Sequence, residues 1–165
     1  MQVSVTTVRD TDASAIASLR NSVAENLTRN HGSGHWSLAV TEKSVLRGIK
    51  TSRVLVARKG SDIVATLRLA TKKPWAIDVA YFASVRRPLY LLDMAVTPGF
   101  QGQGVGRILL EEAKAVARAW PADGIRLDAY AGPAGGGGFY AKCGFSEVGQ
   151  VTYRGVPLIY FELLL

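Results

Sequence analysis

Leu91 to Ala113 reads LLDMAVTPGFQGQGVGRILLEEA, and its two halves follow different periods. The apolar run Leu89–Val96 (LYLLDMAV) is interrupted by Asp93 and reads as a strand. From about Gly104 to Trp120 the pattern is helical: Val105, Leu109, Ala113, Val116 and Trp120 form the expected buried stripe. Arg107, Glu111, Lys114 and Arg118 form the expected solvated face, and Pro121 closes the helix. Between strand and helix, Gln101-Gly102-Gln103-Gly104-Val105-Gly106 places glycine at three alternate positions. Several backbone N–H groups then converge at a helix N-terminus with no Cβ to hold a ligand off. The dipole there is equivalent to about half a positive charge, so the turn suits a phosphate-bearing ligand.

The rest of the chain falls into place around this unit. Val3 to Val8 alternates weakly and reads as a strand. Asp12 stands where it can cap a helix whose one face carries Ile16, Leu19, Val23 and Leu27. His31-Gly-Ser-Gly-His35 breaks that helix, and a second is expected near Thr41 to Ile49. Arg53–Lys59 and Asp62–Ala70 form a hairpin around Gly60-Ser61, with Ile63, Ala65, Leu67 and Leu69 on one face. Thr71 to Pro88 has no dominant period and reads as a long surface loop, a kind of segment that is usually functional. Ile125 to Ala131 is a further strand and Phe139 to Cys143 a short helix. Two strands, Glu147 to Tyr153 and Val156 to Leu164, finish the chain around Arg154-Gly155. The order is β-α-α-β-β-β-α-β-α-β-β, without a repeat or a linker, so residues 1–165 are expected to form a single domain.

Bulk properties narrow the function class. With 48 % apolar and 20 % charged residues among 165, the chain can bury a core without metals or disulfides. The net charge of +7 favours anionic partners, but the basic residues are scattered and form no dense run, which disfavours nucleic acid. One cysteine, Cys143, excludes an intramolecular disulfide and a cysteine-cluster metal site. The N-terminus lacks a secretory pattern, and no apolar stretch approaches the roughly 20 residues that span a bilayer. A cytoplasmic protein is expected.

The glycine spacing can be tested against known phosphate fingerprints. A P-loop needs Lys then Ser or Thr after its last glycine, whereas Gly99 to Gly104 is followed by Val105 and Gly106. The dinucleotide pattern G-x-G-x-x-G fails too, because its sixth position is Arg107 or Leu109. The spacing is Q-x-x-G-x-G after a strand and before a helix. In this the chain resembles the GNAT family of acetyl-CoA-dependent N-acetyltransferases. A second element of that family, an aromatic-Tyr-x-Lys-x-Gly-Phe segment, appears about 35 residues later as Phe139-Tyr140-Ala141-Lys142-Cys143-Gly144-Phe145. The inferred element order also matches, so the resemblance covers nearly the whole chain.

The resemblance implies an α/β (α+β) fold with a mixed, mostly antiparallel sheet of about seven strands flanked by about four helices. It implies that acetyl-CoA is the co-substrate, with no metal. The backbone of Gln101, Gly102, Gln103, Gly104, Val105, Gly106 and Arg107 would cradle the pyrophosphate. Pantetheine would pair with main chain along Met94, Ala95 and Val96, and the Leu89 and Ile125 strands would splay to admit the thioester. The amide of Val96 would stabilise the oxyanion. Tyr140 would contact the cofactor and protonate the departing thiolate, since a phenol stays protonated at neutral pH. Where many members carry Asn seven residues before that tyrosine, this chain has Pro133, followed by Gly135 to Gly138. Each glycine costs a helix roughly 1 kcal/mol relative to alanine, so the short helix should start late.

The general base is open at this level. Asp93 could relay a proton from the amine, but strict alternation puts it opposite Leu92, Met94 and Val96, the ligand face; a bulge would change that. A structural salt bridge is the competing role for Asp93, with Asp128 a weaker candidate base and bulk water an alternative. His31 and His35 lie among glycines without a third metal ligand. Cys143 reads as a small core residue, and Trp75, Tyr81 and Phe82 either wall an acceptor pocket or anchor their loop. The expected partner is an amine acceptor, small molecule or peptide, whose identity the sequence leaves open, as it does homodimer formation. A CoA-sensing or interaction module without turnover is the alternative reading of the same fold.

Overall fold

The computed structural model describes residues 2–165. The chain forms two compact units. One runs to Leu69 and resumes over Leu92–Lys114; the other takes Ala70–Leu91 and Ala115–Leu165.

In the first unit, β1 (Ser4–Thr7) pairs antiparallel with β2 (Arg53–Lys59), from Ser4↔Arg58 to Thr7↔Leu55. The hairpin to β3 (Asp62–Ala70) has the expected bounds, with Gly60 at φ +61 supplying the left-handed turn. Val64, Ala65, Thr66, Leu67 and Leu69 are all buried, so both faces of β3 are covered rather than one. Helix α1 (Ala13–His31) stops at Gly32, whose φ of +80 no β-carbon residue takes readily. In α2 (Glu42–Thr51), the Thr41 hydroxyl accepts from Ser44 N at 3.1 Å and caps the first turn. Ala13, Ile16 and Ala17 of α1, Val45 of α2, and Val54 and Val56 of β2 make one buried cluster.

Asp12 precedes α1 as expected but does not cap it. Its own backbone is already helical (φ −81°, ψ −10°), which aims the carboxylate away from the first-turn amides. The carboxylate instead accepts from Arg9 N at 2.8 Å and Arg58 Nη2 at 2.6 Å. Burial alone would raise its pKa; the hydrogen bonds and charges of Arg58 and Arg9 outweigh that and hold it below the usual carboxylate value.

β4 (Pro88–Val96) and α3 (Val105–Ala119) match the expected strand and helix closely. The buried stripe of α3 differs in detail: it is Val105, Leu109, Leu110, Ala113 and Ala117. Trp120 lies beyond the helix end and is 40 % exposed, while Lys114, expected in solvent, is buried with Nζ 2.7 Å from Glu111 Oε1. The long aliphatic stem of a lysine can take a core-facing position when its charge is paired.

In the second unit, β5 (Gly124–Tyr130) pairs antiparallel with β7 (Val156–Leu164), and β7 with β6 (Ser146–Tyr153). Arg154 and Gly155, at φ +50 and +80, form the tight turn between the last two strands. A short helix, α4 (Gly137–Lys142), precedes β6. The stretch 71–87 proves to be anchored rather than loose. Ile77 and Phe82 are buried, and the Tyr160 hydroxyl donates to Ala76 O and accepts from Asp78 N at 3.1 Å. The Glu162 carboxylate accepts from Ala83 N at 3.1 Å. Arg126 is buried, with its guanidinium 5.3 Å from the Phe82 ring centre, Nη1 donating to Tyr90 Oη and Nη2 to Ala83 O.

The seven strands run in the order β1-β2-β3-β4-β5-β7-β6. β4 and β5 are parallel, and the β1·β2, β2·β3, β5·β7 and β6·β7 pairs are antiparallel. This mostly antiparallel seven-stranded sheet, with four helices among the described residues, is the architecture the sequence implied.

Candidate functional site

β4 is regular only over its first part. Its parallel ladder with β5 covers Pro88↔Gly124, Leu89↔Ile125 and Tyr90↔Arg126. At Asp93 the backbone turns left-handed, at φ +55, in the middle of an otherwise extended strand. A non-glycine residue there is uncommon, although Asp tolerates it better than most. The break in alternation is the bulge that the sequence left open. It does not leave Asp93 bare: Oδ2 accepts from Arg68 Nε at 2.6 Å and Oδ1 lies 3.2 Å from Arg20 Nη2.

Past Val96 the chain folds into the glycine turn. Thr97 N donates to Val64 O, so the turn starts from a point fixed on β3. A single 3-10 turn, Pro98–Phe100, follows. Gln101 Nε2 donates to Val96 O and Gln103 Nε2 to Gly99 O, each at 2.9 Å, so both glutamine side chains brace the turn's own backbone. Gly102 and Gly104 take φ +75 and +84, and a Cβ built on either meets no atom within 4 Å. The requirement for glycine is therefore conformational, and the space above both is open. The first bond of α3 runs from Ile108 N to Gly104 O at 3.1 Å. Ahead of it the amides of Val105 and Gly106 point outward along the helix axis, as at every helix start. The turn thus offers what a pyrophosphate needs: N–H donors, a favourable dipole and no side chain in the way.

In the second unit, Tyr140 stands on α4, half-buried among aromatic rings, with centroids of Phe139, Phe145 and Phe161 at 5.3, 5.8 and 5.9 Å. Burial pushes its phenol pKa well up, and the charges of Asp128 and Cys143 push it further in the same direction. The phenol therefore stays protonated at physiological pH. Part of the preceding glycine run is structural: a Cβ at Gly135 would fall 1.6 Å from Tyr130 O, and one at Gly137 would press on the Phe161 ring at 3.3 Å. α4 begins at Gly137, two residues ahead of the expected Phe139, so the last two of the four successive glycines lie inside the helix rather than before it.

The remaining sequence candidates separate clearly. Cys143 is a buried thiol in the core. His31 and His35 are exposed, and among the described residues no group of three or more His, Cys, Asp or Glu could hold a metal ion. Phe82 and Tyr81 pack on Tyr160 at 5.2 and 5.4 Å and so anchor their loop, whereas Trp75 is 84 % exposed. No helix of the described residues is long and apolar enough to cross a membrane.

Sequence reading missed the arginines that hold Asp93. A signal existed: Arg20 lies four residues after Ile16, on the apolar stripe of α1, and Arg68 interrupts the apolar β3.

Comparison with known proteins extends these observations. The family model described as acetyltransferase (GNAT) domain matches residues 50–147, a span that holds both the glycine turn and Tyr140. No curated protein matches the chain by sequence. Among solved structures, a ribosomal-protein-alanine N-acetyltransferase from Brucella melitensis aligns over 98 % of this chain and 99 % of its own, at 20 % identity and a TM-score of 0.78. An N-acetyltransferase from Staphylococcus aureus covers 99 % of both chains at 15 % identity and TM-score 0.75. An N-acetyltransferase from Thermoplasma acidophilum, solved in complex with coenzyme A, covers 97 % of this chain and 98 % of its own at 15 % identity and TM-score 0.74. At these identities the likeness is one of fold.

Proposed function

The chain is an acetyltransferase of the GNAT family, and from that membership we propose that it moves the acetyl group of acetyl-CoA directly to a primary amine, through a tetrahedral intermediate. Residues 1–165 act in this reading as one catalytic domain. The observation that carries it is the glycine turn: Gly102 and Gly104, both left-handed with open space above them, at the start of α3.

In this reading the amides of Gln103 to Arg107 take the pyrophosphate, and main chain along Met94, Ala95 and Val96 receives pantetheine. Gln101, bonded to Val96 O, holds strand and turn in one geometry. The amine, whose unperturbed pKa is about 10, loses a proton before or during attack on the thioester carbonyl. The C–N bond forms as the Val96 N–H supports the developing oxyanion. Collapse breaks the C–S bond, and the Tyr140 hydroxyl delivers a proton to sulfur, giving amide and free CoA thiol. The Arg20 and Arg68 partners of Asp93 favour its carboxylate as an ion-paired positioning group, and the amine proton leaves through water.

The test is thiol release from acetyl-CoA across an amine panel. Release with at least one amine is expected, and Gly104→Ala should raise KM for acetyl-CoA by about tenfold, because it strains the turn and puts a methyl where the pyrophosphate binds. A protein stabilised by CoA that acetylates no amine would be a CoA-binding module instead.

A further inference from the structure

The two arginines on Asp93 belong to a cavity of about 270 Å³ in the first unit, walled by α1, α2, β3 and the bulge of β4. A third guanidinium, Arg47 of α2, lines it with Arg20, Arg68 and Asp93, while the hydroxyls of Ser44 and Thr51, also in the lining, are spent on Thr41 O and Arg47 O. Three guanidiniums against one carboxylate leave a formal charge of +2. Asp93 is already shared between Arg20 and Arg68. Arg47 is exposed and makes no ion pair among the described residues.

A cationic ligand such as a polyamine would enter this cavity against like charge, with its only counter-charge already engaged. A carboxylate or phosphate meets the opposite situation. Each guanidinium carries five N–H donors in a planar fork, more than Asp93 uses, and that fork matches a planar or tetrahedral oxyanion. The volume falls just below the roughly 300 Å³ at which drug-sized sites begin, which suits an anionic head on a short carbon frame. Its position also fits an acceptor. Asp93 precedes Val96 by three residues, about 10 Å along a strand, while the glycine turn lies beyond Val96 on the other side. We propose that this arginine-lined cavity selects the acceptor, and that the acceptor is a small amine bearing an anionic group on the same molecule, an amino acid or an amino phosphate.

The proposal rests on the acetyltransfer reading but is scored separately from it. The probes are matched pairs differing by one anionic group: phenylalanine and phenethylamine, arginine and agmatine, serine and ethanolamine, phosphoethanolamine and ethanolamine. Binding is measured by calorimetry on the free protein and on protein saturated with CoA, and thiol release with acetyl-CoA is measured alongside. In at least one pair the anionic member should bind, and react with a KM lower, by about tenfold or more, the scale of a lost charge-assisted hydrogen bond. Arg47→Gln should erase that preference while leaving the affinity for CoA unchanged. The pair that responds tells carboxylate from phosphate. Equal or tighter binding of the decarboxylated or dephosphorylated member in every pair overturns the proposal, as does a preference that survives Arg47→Gln or no binding of any anionic member. Turnover with the neutral-framed amines alone would leave the acetyltransfer reading standing. Absence of both CoA binding and thiol release would overturn that reading, with the calorimetry on free protein still deciding the anion preference.

Discussion

Arg68 Nε meets Asp93 Oδ2 at 2.6 Å across the one point in β4 where the backbone turns left-handed. The ion pair and the bulge are therefore one device: the carboxylate reaches the arginines because the strand breaks its alternation there. Substitutions at 93 should separate the two contributions. Asp93→Asn keeps a side chain that tolerates φ +55 and loses the charge, and with both partners about one-quarter to one-third exposed it should cost about 1 kcal/mol. Asp93→Ala adds the left-handed penalty of roughly 1 kcal/mol or more and should melt lower than Asn. Urea denaturation of both variants checks the order, and an alanine variant as stable as the asparagine one would show that the bulge stores no such cost.

The glycine run before α4 should split in the same way. Gly135→Ala would drive a Cβ into the Tyr130 carbonyl oxygen and should destabilise by more than about 2 kcal/mol. Gly138, inside α4 with nothing within 4 Å of an added Cβ, should gain stability on substitution by alanine, by about 0.5–1 kcal/mol. Thermal melts of the two single variants should shift in opposite directions, and a shared sign would overturn this assignment.

Asp12 sets a pH dependence. Its folded pKa lies below the unfolded value near 3.8, so its stabilising contribution is present above that value and is lost as pH falls through the folded one. Asp12→Asn should therefore be less stable than the parent at pH 7. The gap should narrow below about pH 4. Denaturant midpoints from pH 7 down to pH 2 measure it, and a gap constant across that range would rule out the Arg58 and Arg9 interactions as its source.

Tyr140 has its pKa raised by burial, so the phenol remains protonated throughout the neutral and mildly alkaline range. An alkaline limb in kcat below about pH 10 would then arise from another group. Tyr140→Phe keeps the ring against Phe139, Phe145 and Phe161 and removes only the hydroxyl. It should lower kcat on the order of a hundredfold with little change in KM for acetyl-CoA. Thiol release unchanged by this substitution would remove Tyr140 from the mechanism.

What could be read from sequence was whatever a few neighbouring residues decide. Gly60-Ser61 marked its hairpin to the residue, and the period change after Val96 marked strand, turn and helix. The glycine turn was legible because its conformation is imposed locally by Gly102 and Gly104. What escaped depends on partners distant in sequence. Lys114 could not be placed inside without knowing what packs on α3, and the anchoring of residues 71–87 depends on Tyr160 and Glu162. The cavity of Arg20, Arg47 and Arg68 draws on three separate elements, so no single window contains it.

The Tyr160 hydroxyl reaches 84 and 82 residues back along the chain, to Ala76 and Asp78. Contacts that close so long a loop must recover its entropy from other interactions and tend to form late. The segment 71–87 therefore acquires its shape only after β7 has docked between β5 and β6, and its order reports on the completion of folding. Hydrogen exchange during refolding should find the amides of Asp78 and Ala83 protected last in their unit, in step with those of β7.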